Sequence, residues 1–196
     1  MWSALDVELP IPIVTKDMGL HMFRDQIKHY PGFMSVGDAA MIHSYAKSVQ
    51  TTAFDEFGND RKEFSVNVFK NPNTKESNIR DVITTYGKMV YDTCIINYGG
   101  PFVPFEPAAT HIAKFEAGYG MHEHFDAGKP NDIATLIYIN DDYEGGEIYF
   151  PELGVEIKPK AGDLIMFPDN PNFIHGVKPI TSGVRFTTPR WFTRIV

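Results

Sequence analysis

The amino-acid sequence predicts a mainly β fold with helices confined to its N-terminal half, and two observations carry that reading. From Thr110 onward the chain breaks into short β-prone runs separated by turn residues: "HIAKF", "IATLIYI", "GEIYF", "VEI", "DLIMF", "FIHGV", "VRFTT" and "RWFTRIV". Strands of this length and spacing build an all-β sandwich or barrel. Before Thr110, two segments repeat their apolar residues at helical spacing instead. A chain of 196 residues suits a single domain with a substantial core, residues 1–109 acting as support and 110–196 as the β core.

In chain order, Ser35 can cap a first helix whose apolar positions Ile42, Tyr45, Ala46 and Val49 follow the i, i+3, i+4, i+7 pattern. A polar stretch over 54–77 follows, with a short β-like centre at 64–69. A connection of that length is usually disordered or a functional lid, and the lid is the reading adopted. The second helix begins near Ser77 and places Ile79, Val82, Ile83, Tyr86, Met89, Val90 and Cys94 along one side, ending before "YGG". Both helices are expected to buttress one sheet. The paired Gly145 and Gly146 answer a backbone need in the turn entering "EIYFP".

Composition narrows the function classes. Acidic residues number 25 against 18 basic ones, a net charge of −7, which disfavours a nucleic-acid partner. The lone Cys94 cannot form an internal disulfide, and it sits in a helical pattern that suits buried packing. The N-terminal residues lack the pattern of a signal peptide, and no apolar run approaches the ~20 residues needed to span a bilayer. A cytoplasmic location without membrane attachment is the expectation.

The stretch "GMHEHFDAG" sets His122, His124 and Asp126 at alternate positions, one face of a strand. With a rise of about 3.3 Å per residue, neighbours two apart can share an ion and those four apart cannot. That leaves His122 with His124, or His124 with Asp126. A His-x-His pair suggests a cupin, which wants a nearby downstream glutamate and a Pro-x-Gly turn close to its last histidine. Residues 127–132 hold no glutamate, and "PKAGD" lies well before His175. The His124-x-Asp126 pair needs one distant histidine to make the open facial triad that non-haem Fe(II) oxygenases use, and His175 is the only histidine C-terminal to it. Arg185 follows ten residues later, beyond the turn "PITSG", where a returning strand can bring its fork beside the metal to meet a dicarboxylate. His21, His29, His43 and His111 carry no spacing signal and read as structural.

Together "HFD", "LIYIND", "GGEIYFP", "PKAGDLIMFP", "HGVKPITSGVRF" and the closing "RWF" resemble the 2-oxoglutarate and Fe(II)-dependent dioxygenases, within them the prolyl 4-hydroxylase-like group. The resemblance runs over 110–196 and implies one dioxygenase domain with a double-stranded β-helix, or jelly-roll, core. It implies His124, Asp126 and His175 as iron ligands, Arg185 and Tyr138 as partners of the distal carboxylate of 2-oxoglutarate, and Trp191 as an aromatic lining the site. His122 and Tyr119 are further candidate substrate contacts. Fe(II), 2-oxoglutarate and O₂ are the implied cofactors and co-substrates, with ascorbate as a stimulant. The implied reaction is hydroxylation of an unactivated C–H bond, in a prolyl residue of a peptide. Alternatives are hydroxylation of a free amino acid or small metabolite, and a non-catalytic metal-binding jelly-roll module. A nucleic-acid demethylase of the same superfamily usually shows a second arginine six residues after the first, where this chain has Trp191. Phe115 and Met121 stand where many relatives carry tyrosines, so the pocket is less polar.

Overall fold

The computed structural model describes residues 16–48, 52–53, 64–67, 78–104, 111–126 and 133–195. Its helices are α1 (Lys16–Arg24), α2 (Val36–Ser48) and α3 (Ile79–Tyr98). Its strands are β1 (Lys28–Tyr30), β2 (Thr52–Ala53), β3 (Phe64–Asn67), β4 (Phe102–Pro104), β5 (His111–Glu116), β6 (Met121–His124), β7 (Ile133–Tyr138), β8 (Glu144–Gly145), β9 (Ile148–Phe150), β10 (Val155–Ile157), β11 (Leu164–Pro168), β12 (His175–Val177), β13 (Ile180–Ser182) and β14 (Val184–Arg194).

The strands form an eight-stranded sheet in the order β1-β11-β7-β14-β5-β3-β2 with β4 on β14, a four-stranded sheet β10-β9-β12-β6, and the pair β13-β8. Successive strands from β5 onward pass back and forth between the two larger sheets: β5, β7, β11 and β14 lie in one, β6, β9, β10 and β12 in the other. That winding, with antiparallel neighbours, is the expected double-stranded β-helix.

Alternation along the strands divides the core in two. Ile133, Ile137, Leu164, Met166, Phe186 and Phe192 point out of the large sheet and pack with Ile42 and Ala46 of α2 and Ile83, Val90 and Cys94 of α3. Ala134, Tyr138, Ile165 and Phe167 point the other way and meet Ile148 and Phe150 of the small sheet. Each large side chain so buried contributes about 1.5–3 kcal/mol. The helices therefore do back one sheet.

Helix α2 starts where its cap predicts. The Asp38 N–H donates to Ser35 Oγ at 3.1 Å, and that hydroxyl donates to the Asp38 carboxylate at 2.8 Å. Helix α3 ends at Gly99, with φ 70°, whose N–H donates to the Ile95 carbonyl. Several details depart from expectation. Helix α1 and strand β1 had no clear sequence signal. Met89, expected on the packed side of α3, is 41% exposed. The runs "VRFTT" and "RWFTRIV" are one strand, β14, that continues through Pro189. The β-like centre of the expected lid contributes strand β3, paired with β5, and the rest of 54–77 lies outside the described residues. No helix among the described residues is long and apolar enough to cross a membrane.

Candidate metal centre

Strands β6 and β12 run antiparallel with His124 directly opposite His175, so both imidazoles rise from one face of the small sheet. Their ring centroids are 4.5 Å apart. Asp126 lies two residues beyond His124, just past the end of β6, and its Oδ1 is 3.4 Å from His124 Nε2. One ligand atom from each of the three lies within 4.8 Å of the other two, the group that could hold a metal ion among the described residues.

The tautomers are set by the neighbours. His124 Nδ1 is 2.7 Å from the His122 carbonyl, and His175 Nδ1 is 3.1 Å from the Phe173 carbonyl. A carbonyl only accepts, so both Nδ1 atoms carry the proton and both Nε2 lone pairs are available to a cation. His175 lies against the rings of Phe167 and Phe150, at 4.6 and 5.8 Å. That burial pushes its pKa down to about 4, so it is neutral at pH 7 as a ligand must be.

Asp126 is held at two points. Its backbone N–H donates to Asp169 Oδ1 at 3.0 Å, and its Oδ2 accepts the Trp191 indole N–H at 2.6 Å. Burial works to raise its pKa, but the adjacent His124, the nearby His175 and the hydrogen bond from the Trp191 indole outweigh it and hold the carboxyl below its ordinary value. Two neutral imidazoles and one carboxylate on one side of a point are the donor set of a facial Fe(II) site. The residues fit the ion.

Arg185 and Tyr138 come from neighbouring strands, β14 and β7, deep between the sheets and 1% and 0% exposed. The guanidinium carbon stands 4.3 Å from the Phe115 ring centroid and 5.7 Å from that of Tyr138. Arg185 Nη1 also reaches toward the Gly146 carbonyl at 3.5 Å. The Tyr138 hydroxyl is buried with no hydrogen-bond partner among the described residues. A buried O–H donor beside a buried cation is what an incoming carboxylate requires, so these residues fit 2-oxoglutarate.

The remaining expected contacts fall as follows. Trp191 gives its indole N–H to Asp126 and so holds that carboxylate in its orientation. His122 is exposed and offers its carbonyl to His124. Tyr119 stacks on Phe115 at 4.7 Å, with Met121 beside the same cluster. Gly145 and Gly146 have φ of 74° and 70°, and a Cβ at Gly145 would sit 2.2 Å from the Pro179 carbonyl oxygen, so the backbone need is steric. His29 is structural: it bonds Asp163 at 2.7 Å, and the same carboxylate accepts the Gly32 and Lys160 N–H groups, fastening β1 to the "PKAGD" turn. His43 packs on Phe186. Sequence reasoning missed Asp169, which stands in no spaced motif and gains its meaning only from its place beside Asp126.

Residues 110–193 match the sequence profile of the 2OG-Fe(II) oxygenase superfamily. Human prolyl 3-hydroxylase 2 is 43% identical over 67 residues, which cover 32% of this chain and 10% of that protein. The chain thus spans about a tenth of the length of that curated relative. Among solved structures, the viral collagen prolyl hydroxylase of Paramecium Bursaria Chlorella virus-1, in its 2OG complex, aligns with TM-score 0.61 at 18% identity, over 87% of this chain and 97% of the other. A prolyl hydroxylase from Trichoplax adhaerens, in complex with a hypoxia inducible factor oxygen degradation domain peptide fragment, aligns with TM-score 0.64 at 15% identity, over 90% and 88%. At these identities the structural likeness speaks for the fold.

Proposed function

We propose, from the match of residues 110–193 to the sequence profile of the 2OG-Fe(II) oxygenase superfamily, that the protein is a member of it, an Fe(II)- and 2-oxoglutarate-dependent dioxygenase that hydroxylates prolyl residues in a peptide. The observation that carries the reaction class is the coexistence of an open His124, Asp126, His175 set with a buried Arg185 and a Tyr138 hydroxyl that has no hydrogen-bond partner among the described residues, between the same two sheets. A structural zinc site closes with a fourth protein ligand and has no use for a carboxylate clamp.

When bound, Fe(II) and 2-oxoglutarate supply the oxygen chemistry: O₂ is consumed, the oxo acid becomes succinate and CO₂, and one oxygen atom enters a substrate C–H bond. The chain supplies position. Carbonyls at His122 and Phe173 hold the two imidazoles in the tautomer that presents Nε2. Trp191 and Asp169 fix Asp126. Arg185 provides a full positive charge in a low-dielectric interior, where it attracts a carboxylate far more strongly than in water. Phe150 and Phe167 keep water from the His175 side.

Support for a peptidyl proline comes from the names of the relatives and from the apolar replacements at Phe115 and Met121, which favour a neutral ring over a zwitterion whose charges would need desolvation. The buried free Cys94 suits a reducing, cytoplasmic setting. The test is incubation with Fe(II), ascorbate and 2-oxoglutarate, following succinate by NMR, with His175→Ala as the dead control. Mass spectrometry on proline-rich peptides and free L-proline side by side then looks for one added oxygen. Absence of succinate from the parent under every substrate overturns the reaction class. Oxidation of free proline with all peptides untouched overturns the peptide reading alone.

A further inference from the structure

Tyr143 lies outside the ligand set and in no strand, yet it is 4% exposed and its hydroxyl is buried with no hydrogen-bond partner among the described residues. An unpaired buried hydroxyl costs stability, so such a group calls for a partner that arrives later. Its surroundings say which. Tyr143 packs with Phe115 and Ile180, and Phe115 is the ring over which the Arg185 guanidinium rests at 4.3 Å. Gly146, whose carbonyl faces Arg185 Nη1, lies so close that a Cβ there would come within 3.0 Å of Tyr143 Cε2. On the other side, Lys158 Nζ caps the ring at 4.3 Å from its centroid and closes that face. Burial raises the Tyr143 pKa, the Tyr138 hydroxyl raises it further and Arg185 opposes them, so the three groups share one electrostatic neighbourhood and the hydroxyl keeps its proton as a donor.

We propose that Tyr143 is a specificity-determining residue at the Arg185 end of the pocket, donating its hydroxyl proton to the distal carboxylate of 2-oxoglutarate beside Arg185 and Tyr138. A carboxylate offers about four lone-pair sites, so a guanidinium and two hydroxyls do not oversubscribe it. The assignment rests on the dioxygenase reading above. It also explains why a costly buried hydroxyl sits where phenylalanine would pack as well: the group is strained without the co-substrate and satisfied with it.

The experiment is calorimetric titration of Fe(II)-loaded protein without O₂, using 2-oxoglutarate and 2-oxopentanoate, which carries a methyl where the distal carboxylate would be. In Tyr143→Phe, the Kd for 2-oxoglutarate should rise at least about tenfold, about 1.4 kcal/mol, while the Kd for 2-oxopentanoate stays unchanged. The ligand-free variant should melt at the same temperature as the parent or higher, because an unpaired hydroxyl has been removed. An unchanged ratio of the two constants refutes the proposal. So does equal weakening of both with a lowered melting temperature, which makes the hydroxyl structural. If the parent itself binds no 2-oxoglutarate, the dioxygenase reading falls and this inference with it.

Discussion

Replacing Trp191 by phenylalanine separates two roles that one aromatic could play. The ring stays, so packing against the inner core cluster is largely kept, but the 2.6 Å N–H donor to Asp126 Oδ2 is lost. A hydrogen bond to a charged group is worth about 1.5–3 kcal/mol, and a partner that orients a metal ligand about 10–100-fold in affinity. Asp126 keeps two other restraints, the backbone tie to Asp169 and the contact with His124, so its loop should stay in place and the cost should fall toward the lower end. The expected outcome is roughly tenfold weaker metal binding, about 1.4 kcal/mol, measured by chelator competition on Fe(II)- or Mn(II)-loaded protein. The sign with pH also follows. A carboxyl held below its ordinary pKa stays a ligand as pH falls until its own pKa is reached, and removing a hydrogen bond that lowers that pKa brings the loss to higher pH. The defect should widen on acidification. Metal affinity within twofold of the parent, with a raised KM for peptide, would refute this reasoning and return Trp191 to the substrate wall.

Three further outcomes are expected. Arg185→Lys keeps the charge and loses the planar fork, so the apparent KM for 2-oxoglutarate should rise at least about tenfold; steady-state kinetics check it, and an unchanged KM removes Arg185 from the site. Gly145→Ala forces a Cβ against the Pro179 carbonyl at a φ that costs about 1–3 kcal/mol by itself; urea denaturation should show at least that loss, and a melt equal to the parent's would contradict the steric account of the glycine pair. Cys94 is 0% exposed and burial pushes its thiol up to about 12, so native protein at pH 8 should be inert to a disulfide reagent until denaturant is added; rapid labelling in buffer would mean that α3 opens locally.

Much of this architecture can be read from the chain because single positions carry their own signals. Ser35 is a cap by chemistry alone, and the short β-prone runs after Thr110 declare strands. The triad is legible because an H-x-D pair demands a third ligand and one histidine remains to supply it. What was hidden depends on distance across the fold. Pro189 looks like a strand break, since proline cannot donate to a ladder. Yet β14 runs through it, because at that residue the strand pairs with β7 through Leu136, while its pairing with β5 ends at Thr187 and that with β4 starts at Phe192. No partner on that second edge, among the described residues, asks Pro189 for an N–H. Trp191 likewise gives no sequence sign that its nitrogen meets Asp126, 65 residues away. Tyr143 becomes visible only when Phe115, Gly146 and Arg185 are seen to surround it.

Strand β14 explains why the helices belong to the site. Its inward face carries Arg185, which lies against the Phe115 and Tyr138 rings, and Trp191, whose indole N–H meets Asp126. Its outward face carries Phe186, Arg190 and Phe192, which pack against the helical layer. Arg190 is the telling member: 4% exposed, it reaches α3, where its Nη2 donates to the Ile83 carbonyl at 2.9 Å. Burial lowers its pKa to about 10, so it stays charged at neutral pH in a place where charge is costly. Room for it comes from Gly87 on the next turn of α3, where a Cβ would stand 3.3 Å from the guanidinium. A greasy side chain would slide along the helix with little penalty, whereas a guanidinium must find its carbonyl, so this contact fixes the register of α3 on β14. Since a strand is pleated, fixing one face fixes the other. The helical layer thereby sets where Arg185 and Trp191 stand relative to His124 and His175 on the opposing sheet, and the geometry of the metal site is inherited from packing on the far side of the strand.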